Sequence, residues 1–231
     1  MDYRRLYEYR FRHVDQSARQ AVWDEVAAYL YRRMGQPTRV LDPAAGRGEL
    51  VSAPALAGAE RWVVDQVEYP ERRLDPGVKV VVGDILEVEL PSGYFDGILV
   101  SNLLEHLASQ EDVHRLLVRL RRTLAPGGVV CVMGPNFRYC AGEYFDCADH
   151  TLALTHVAVA EHVYAAGFDR PEVTARFLPY SVRSRLPASG ALVRRYLDSP
   201  WAWPLLGKQF LVLARHDPGS KRPMPGSSPT G

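Results

Sequence analysis

Residues 40–48, which read VLDPAAGRG, constrain the fold of this chain more than any other segment. A short apolar run ends in an acid, Asp42, and the two glycines that follow allow a tight turn into a helix-compatible stretch. Such a strand and turn are typical of the first unit of a parallel sheet, where the backbone approaches a ligand at the end of the strand. An acid at this point would repel a pyrophosphate, but it can accept hydrogen bonds from ammonium or hydroxyl groups.

Apolar runs alternate with helical patterns from residue 37 onward, which predicts a doubly wound, mostly parallel sheet. The predicted strands are residues 39–42, 61–65, 78–82, 95–100 and 129–133, with two more near 172–178 and 209–215. Three helices are predicted. The first is residues 16–34, and the last is about 155–166 with Thr155 as N-cap. Between them, a helix has an apolar face from Val113 to Leu124 and is predicted to end at Pro126-Gly127-Gly128.

Composition restricts the class of protein. At 231 residues and 47% hydrophobic residues, the chain can bury the core of one main domain. We divide it into an N-terminal helical cap (1–36), a main domain (37–215) and a disordered tail (216–231). A net charge of +1 without a basic block argues against nucleic-acid binding. Three irregularly spaced cysteines and the lack of a long apolar run favour a cytoplasmic protein without a transmembrane segment.

Small or polar residues follow each predicted parallel strand. They are Asp42, Asp65, Gly83 with Asp84, Ser101 with Asn102, and Asn136. Because the carboxyl ends of parallel strands share one edge of a sheet, we expect these residues to converge on a ligand. Asp65 lies near the interval of about 20 residues after Asp42 at which an acid binds ribose hydroxyls. Glu68 is the alternative for that role.

The loop formed by Asp42, Ala44, Gly46 and Gly48 resembles the first motif, D/E-x-G-x-G-x-G, of class I S-adenosylmethionine (SAM) dependent methyltransferases. Ala44 replaces the first glycine of that motif. The resemblance covers about residues 37–215. It implies SAM as the cofactor and an α/β, Rossmann-like sheet of seven strands, mostly parallel with an antiparallel last strand, behind an N-terminal helical extension.

The same resemblance assigns roles to residues after the third and fourth strands. Asp84 and Ile85 would contact the adenine, and Ser101 and Asn102 would line the methionine half of SAM. With the loop residues and Asp65, they complete the predicted cofactor site. An NAD(P)-dependent oxidoreductase is the less favoured alternative, because the loop lacks G-x-G-x-x-G and carries an acid.

Candidate catalytic residues follow strands four and five. His106, in a Leu-Glu-His-Leu run, could take a proton from a substrate hydroxyl, or could be a structural histidine. Residues 134–150 show no strand or helix pattern, and we interpret them as a functional loop. In it, Asp149 and His150 could orient or deprotonate a nucleophile. The candidate substrate-binding residues are Asn136, Arg138 and Tyr139, with Arg138 suited to an anionic group.

A metal site is the alternative use of part of this segment. Cys140, Cys147, His150 and His156 carry ligand-type atoms. Their spacing, C-x6-C-x2-H-x5-H, matches no common zinc pattern, so we predict no metal site.

Two segments lie outside these motifs. We expect the aromatic and arginine-rich residues 3–12 to pack their rings on the domain rather than to act as a lid over the substrate. Residues 180–208 contain the apolar run PWAWPLL and could close the substrate pocket, bind a partner or contact lipid headgroups at a membrane surface.

The expected function is methyl transfer from SAM to an O or N atom of a small molecule, in secondary-metabolite or glycoconjugate biosynthesis. Such a reaction mainly requires alignment of donor and acceptor and, for a hydroxyl, removal of a proton. The donor site is therefore easier to recognise than the catalytic residues. A SAM-binding protein without catalysis is the alternative, because binding and turnover share the same residues.

Overall fold

The structure is a computed structural model that describes residues 2–67, 74–179, 189–217 and 219. The helices are α1 (Tyr3–Phe11), α2 (Gln16–Arg33), α3 (Gln110–Thr123), α4 (Phe137–Tyr144), α5 (His156–Ala165), α6 (Gly190–Leu197) and α7 (Trp203–Leu206). The strands are β1 (Arg39–Asp42), β2 (Glu60–Asp65), β3 (Lys79–Val82), β4 (Phe95–Ser101), β5 (Leu124–Pro135), β6 (Glu172–Thr174) and β7 (Gln209–Arg215). None of the helices in these ranges is long and apolar enough to cross a bilayer.

The strands form one sheet in the order β3-β2-β1-β4-β5-β7-β6. The first five strands in this order are parallel, and β7 runs antiparallel to both β5 and β6. This arrangement confirms the predicted fold class. The chain runs outward from β1 to β2 and β3 and then crosses to β4 on the other side of β1, and this reversal of strand order opens a crevice at the carboxyl ends of β1 and β4.

Helices cover both faces of the sheet, and neighbouring residues of each strand point to opposite faces. On one face, α3 and α5 pack on residues that include Leu41, Ile98 and Val130. On the other face, α2 packs on residues that include Val40, Leu99 and Cys131. The buried side chains of α2 are Val26, Ala27 and Leu30. Helix α2 is therefore part of the main core, although we predicted it within a separate N-terminal cap.

The end of α3 differs from the prediction. The helix ends at Thr123, and Leu124, which we expected within it, pairs with Phe95 as the first residue of β5. An irregularity follows, and the pairing resumes between Val129 and Gly97. Gly127 has a φ of +81°, a conformation that glycine adopts without steric cost. The Pro-Gly-Gly sequence thus bends the strand instead of ending the helix.

The prediction that residues 134–150 lack regular structure was wrong. Phe137–Tyr144 forms α4, which is kinked at Cys140, where φ is −135°. Tyr144 is fully buried, and its hydroxyl donates to the carbonyl oxygen of Leu152 at 2.6 Å. A kinked helix of two turns has no regular apolar period, so the sequence pattern does not show it. Strand β6 is also shorter than predicted.

Two predicted segments are described only in part. Residues 189–208 of the predicted insertion form α6, the short 3-10 helix Pro200–Ala202 and α7. Residues 180–188 and most of the predicted tail lie outside the described residues.

Candidate functional site

A cavity opens at the carboxyl edge of the sheet, where the crevice between β1 and β4 lies. Five of the nine predicted cofactor residues line it: Ala44, Gly46, Asp65, Ile85 and Asn102. They come from the glycine loop and from the ends of β2, β3 and β4, which the fold brings together. The other four, Asp42, Gly48, Asp84 and Ser101, do not line the cavity within the described part of the chain.

Asp65 fastens the glycine loop to the end of β2. Its Oδ2 atom accepts a hydrogen bond from the Gly46 N–H at 2.7 Å, and Oδ1 accepts one from the Val67 N–H at 2.9 Å. Gly46 has a φ of +54°, a left-handed conformation that glycine adopts without steric cost. A carboxylate can accept about four hydrogen bonds, so these two contacts are compatible with binding of a diol as well.

Asp42 and Gly48 shape the loop from within the protein. Asp42 is 2% exposed and accepts a hydrogen bond from the Ala44 N–H at 3.1 Å. Gly48 has a φ of +87°, and a Cβ atom there would lie 2.4 Å from Cδ2 of Leu74. Both observations indicate that these residues hold the loop in shape.

Asp84 caps the turn that follows β3. Its Oδ1 atom accepts a hydrogen bond from the Leu86 N–H at 2.9 Å, as in an Asx turn. Its neighbours Gly83 and Ile85 line the cavity instead. The turn therefore presents backbone and an apolar side chain, which suit a flat aromatic ring better than a charge does.

Asn102 has an uncommon backbone conformation at the end of β4. Its φ is +48°, a left-handed value that non-glycine residues seldom adopt and that is enriched at functional sites. The N–H of Asn102 donates to the carbonyl oxygen of Met133 at 2.9 Å, and its Nδ2 group donates to the Ser101 hydroxyl at 3.0 Å. Ser101 thus supports Asn102, which lines the cavity.

Helix α1 covers the cavity, which we did not expect. Tyr3 and Tyr7 line it, so the lid alternative fits these residues better than packing on the surface. The ring of Phe11 lies between two guanidinium groups, with Arg19 at 4.5 Å and Arg47 of the glycine loop at 5.6 Å from its centroid. The four-residue spacing of Tyr3, Tyr7 and Phe11 places them on one helix face, and this spacing was the signal in the sequence.

His106 lines the same cavity and is held in one orientation. Its Nδ1 atom lies 2.9 Å from the backbone carbonyl oxygen of Asp149 and 3.5 Å from the Oδ2 atom of the same residue. A carbonyl oxygen only accepts, so Nδ1 carries the hydrogen and Nε2 carries the lone pair. An imidazole in this tautomer can accept a proton at Nε2.

Asp149 forms an ion pair with a residue that the sequence analysis did not select. Two nitrogens of Arg10 donate to its two carboxylate oxygens, one pair of atoms being Nη1 and Oδ2 at 3.2 Å. The Asp149 side chain is 1% exposed and that of Arg10 is 13% exposed. Burial is the largest single effect and would raise the pKa of Asp149, but the hydrogen bonds from Arg10 and the positive charges nearby together outweigh it and lower that pKa. Arg10 and Asp149 are 139 positions apart in the sequence, so no local sequence pattern indicates their contact.

We expect Arg10→Met to lower the free energy of unfolding by about 3 kcal/mol, because it leaves a buried carboxylate without its partner. Urea denaturation measures this change. The matched control is Arg4→Gln on the same helix, whose pair with Glu8 is more than half exposed and contributes at most about 1 kcal/mol. Adding Asp149→Asn to Arg10→Met should restore part of the loss. Equal effects of the two arginine variants would contradict the assignment.

His150 lies beside His106 with the ring centroids 5.0 Å apart. Burial, assisted by the positive charge of a protonated His106, lowers the pKa of His150 to about 4. His150 is therefore neutral at neutral pH and a weaker base than an ordinary histidine. Of the two predicted catalytic histidines, only His106 lines the cavity.

This pKa predicts a loss of stability in acid. An unfolded histidine has a pKa of about 6.5, so the unfolded chain binds more protons and unfolding becomes easier as the pH falls from about 6.5 to about 4. We expect the wild type to lose about 2 kcal/mol more than His150→Gln over this range. Urea denaturation at several pH values measures the difference, and parallel curves for the two proteins would show that His150 does not contribute.

The predicted substrate residues lie away from the cavity wall. Asn136 is fully buried, and its Nδ2 group donates to the carbonyl oxygen of Ala175 at 2.8 Å and to Nδ1 of His156 at 2.9 Å. These hydrogen bonds join the end of β5 to the neighbouring segments, and a substrate contact by Asn136 stays a prediction. Tyr139 stacks on His156 with a centroid distance of 6.2 Å, while Arg138 is exposed.

Ligand-type atoms also gather beside His106. Glu105, His106 and His150 form one group, and Cys147, Asp149 and His150 form another, each with its atoms within 4.8 Å of one another. Of the four residues weighed for a metal from the sequence, Cys147 and His150 belong to these groups. Arg10 places a positive charge on Asp149, which disfavours a second cation there.

The family model described as a methyltransferase domain matches residues 41–132, which include the glycine loop and the ends of β1 to β4. No protein of curated function matches the sequence significantly.

Several solved structures share the fold at low sequence identity. A SAM-dependent methyltransferase from Archaeoglobus fulgidus has a TM-score of 0.63 and 21% identity, over 93% of this chain and 100% of that one. The Burkholderia thailandensis 1,6-didemethyltoxoflavin-N1-methyltransferase, solved with its substrate and S-adenosylhomocysteine, has a TM-score of 0.59 and 22% identity, over 94% and 89%. Phosphoethanolamine N-methyltransferase 2 of Haemonchus contortus, solved with SAM, has a TM-score of 0.59 and 19% identity, over 92% and 56%.

Residues 41–132 therefore resemble a methyltransferase domain, and the whole chain shares the fold of solved SAM-dependent methyltransferases.

Proposed function

We propose that this chain is a SAM-dependent methyltransferase that acts on an O or N atom of a small molecule, and that His106 accepts a proton from the acceptor. The single observation that carries the proposal is the placement of His106. It lines the cavity with Asn102, and its Nδ1 atom is engaged by the Asp149 carbonyl, so Nε2 is left as the proton acceptor. Asp149 holds this histidine through its backbone carbonyl, and the ring of His150 packs against it.

The cavity residues fit the cofactor. Asp65 offers carboxylate oxygens for the ribose, the turn at Gly83 and Ile85 offers an apolar surface for the adenine, and the loop at Ala44 and Gly46 lets backbone approach the methionine half. Bound SAM would supply an electrophilic methyl group on a positively charged sulfur. On this proposal, five of the nine predicted cofactor residues contact SAM, and the other four hold those five in place.

The remaining work of the site is alignment and exclusion of water. Tyr3 and Tyr7 of α1 cover the cavity and can shield the acceptor from solvent. Arg10 ties α1 to Asp149, so the cover and the proton acceptor are positioned by the same ion pair. Removing a hydroxyl proton in this way contributes about a hundredfold or more to such reactions.

The acceptor falls, on this proposal, within secondary-metabolite or glycoconjugate biosynthesis. The Burkholderia neighbour, named as a methyltransferase of 1,6-didemethyltoxoflavin, supports a small-molecule acceptor. A SAM-binding protein without catalysis is the competing proposal, and nothing in the cavity favours it over catalysis.

Transfer of a labelled methyl group from SAM to a panel of small hydroxyl and amine compounds tests the proposal. We expect label in at least one class and a higher melting temperature with SAM or S-adenosylhomocysteine but not with NAD. Stabilisation by NAD alone would overturn the cofactor assignment. Stabilisation by SAM without label transfer to any acceptor, including cell extracts, would favour the non-catalytic alternative.

A further inference from the structure

An exposed apolar projection, which we call the apolar tip, lies between α6 and β7 and consists of residues 200–206. Trp201 is 76% exposed, Leu205 71% and Leu206 56%. Isolated exposed apolar residues are ordinary, but three large ones within six positions form a patch that usually marks a binding surface.

The apolar tip is fixed to the domain and is not a loose loop end. Trp203 is buried, and its Nε1 atom donates to the carbonyl oxygen of Tyr196 at 3.0 Å. Its ring packs edge-on against Phe177 at 5.2 Å and Tyr29 at 6.0 Å. Because Trp203 anchors the tip, Trp201 and the two leucines are held outward although water contacts them.

Positive charge borders the apolar tip. The guanidinium of Arg176 donates to the carbonyl oxygens of Leu205 at 3.1 Å and Gly207 at 2.7 Å. Arg195 is exposed in the last turn of α6, which leads directly into the tip. Neither arginine forms an ion pair with a carboxylate in the described ranges, and the exposed Arg195 presents its charge to an anionic surface beside the tip.

We propose that the apolar tip inserts into the headgroup region of a membrane that contains anionic lipids. A tryptophan with leucines beside arginines is the composition of segments that lie in this interface, where indole rings are favoured and cations attract anionic headgroups. Contact between two copies fits the charges less well, because a two-fold contact at the tip would bring the Arg176 groups of both copies together.

The position of the apolar tip in the fold also supports the membrane proposal. The Asn136 N–H donates to the carbonyl oxygen of Lys208, so the tip adjoins the carboxyl end of β5. That end belongs to the sheet edge at which the cavity opens. A membrane bound by the tip would therefore lie beside the edge of the sheet that carries the SAM site, and the inference does not depend on which acceptor is methylated.

Co-sedimentation of the full chain with vesicles tests the proposal. We expect binding to phosphatidylcholine mixed with phosphatidylglycerol and much weaker binding to phosphatidylcholine alone. The triple variant Trp201→Ser, Leu205→Ser and Leu206→Ser should lower the partition coefficient of the protein onto the vesicles about tenfold or more, because three large apolar groups no longer enter the interface. Arg195→Gln should reduce binding about fivefold on the mixed vesicles only.

The matched control is Val80→Ser with Val82→Ser on β3, at the other end of the sheet, where both valines are about half exposed (47% and 53%). It should bind vesicles like the wild type, and all variants should keep the melting temperature of the wild type within a few degrees. Absence of vesicle binding by the wild type, or equal binding by the triple variant, would overturn the proposal. A dimer that the triple variant abolishes, without vesicle binding, would instead assign the tip to self-association.

Discussion

His106→Ala is expected to lower kcat at least about a hundredfold and to leave the Kd for SAM nearly unchanged. The reason is the orientation of the imidazole, whose Nδ1 atom is held by the Asp149 carbonyl while Nε2 is left to accept a proton. Calorimetric titration with SAM and a steady-state assay of labelled methyl transfer give the two quantities separately.

The control for this variant is His162→Ala. His162 is bonded through Nε2 to Gln110 on the surface of α5 and does not line the cavity, so both kcat and Kd should stay at wild-type values. If His106→Ala retains turnover, the histidine is structural and the proton leaves the acceptor by another route. If it loses SAM binding as well, the residue helps to form the cofactor site.

Asp65→Ala is expected to weaken SAM binding about tenfold to a hundredfold, because the ribose loses a charged hydrogen-bond acceptor. Asp65 also stabilises the glycine loop. The carboxylate also accepts the N–H groups of Gly46 and Val67, so the variant should lose about 2 kcal/mol of stability.

Asp65→Asn separates the two effects. Its amide keeps the shape of the side chain but only one oxygen acceptor, so one of the two backbone hydrogen bonds and part of the stability should return while the SAM affinity stays below that of the wild type. Calorimetry and urea denaturation of the same samples measure both. Wild-type SAM affinity in the alanine variant would show that Asp65 only fastens the loop, and Glu68, which lies outside the described residues, would become the candidate for the ribose.

The strands were predictable because each buried parallel strand is a short, nearly continuous apolar run followed by a polar or small residue. β1 and β7 coincide with their predicted ranges, and β2, β3 and β4 differ by one residue at an end. This accuracy located the cavity, since the residues after β1, β2, β3 and β4 must meet at one edge of such a sheet.

The same rule is ambiguous where a strand-end residue turns inward. Asn136 follows β5 just as Asn102 follows β4, but its amide is fully buried against Ala175 and His156. A polar residue after a strand can satisfy buried backbone groups as well as a ligand, and the sequence does not distinguish these uses. Asp84 shows the same ambiguity, because its carboxylate caps a turn while its neighbours line the cavity.

Sequence patterns could not predict the contacts between segments that are distant along the chain. Arg10 meets Asp149 only because α1 crosses the carboxyl edge of the sheet, and no period or motif encodes that crossing. Tyr3 and Tyr7 were visible as an aromatic stripe, but the choice between packing and covering a site depends on where α1 lies. The kinked α4 and the bend in β5 were missed because local irregularities break the periods on which the predictions depend.

A crystal structure of the full chain with S-adenosylhomocysteine would locate the cofactor directly. We expect the adenosyl group in the cavity beneath Tyr3 and Tyr7, with the ribose hydroxyls hydrogen-bonded to Asp65, the adenine beside Ile85, and the sulfur near Asn102 and on the same side as His106. A ligand bound elsewhere, or one in the cavity that Asp65 and Ile85 do not contact, would contradict it.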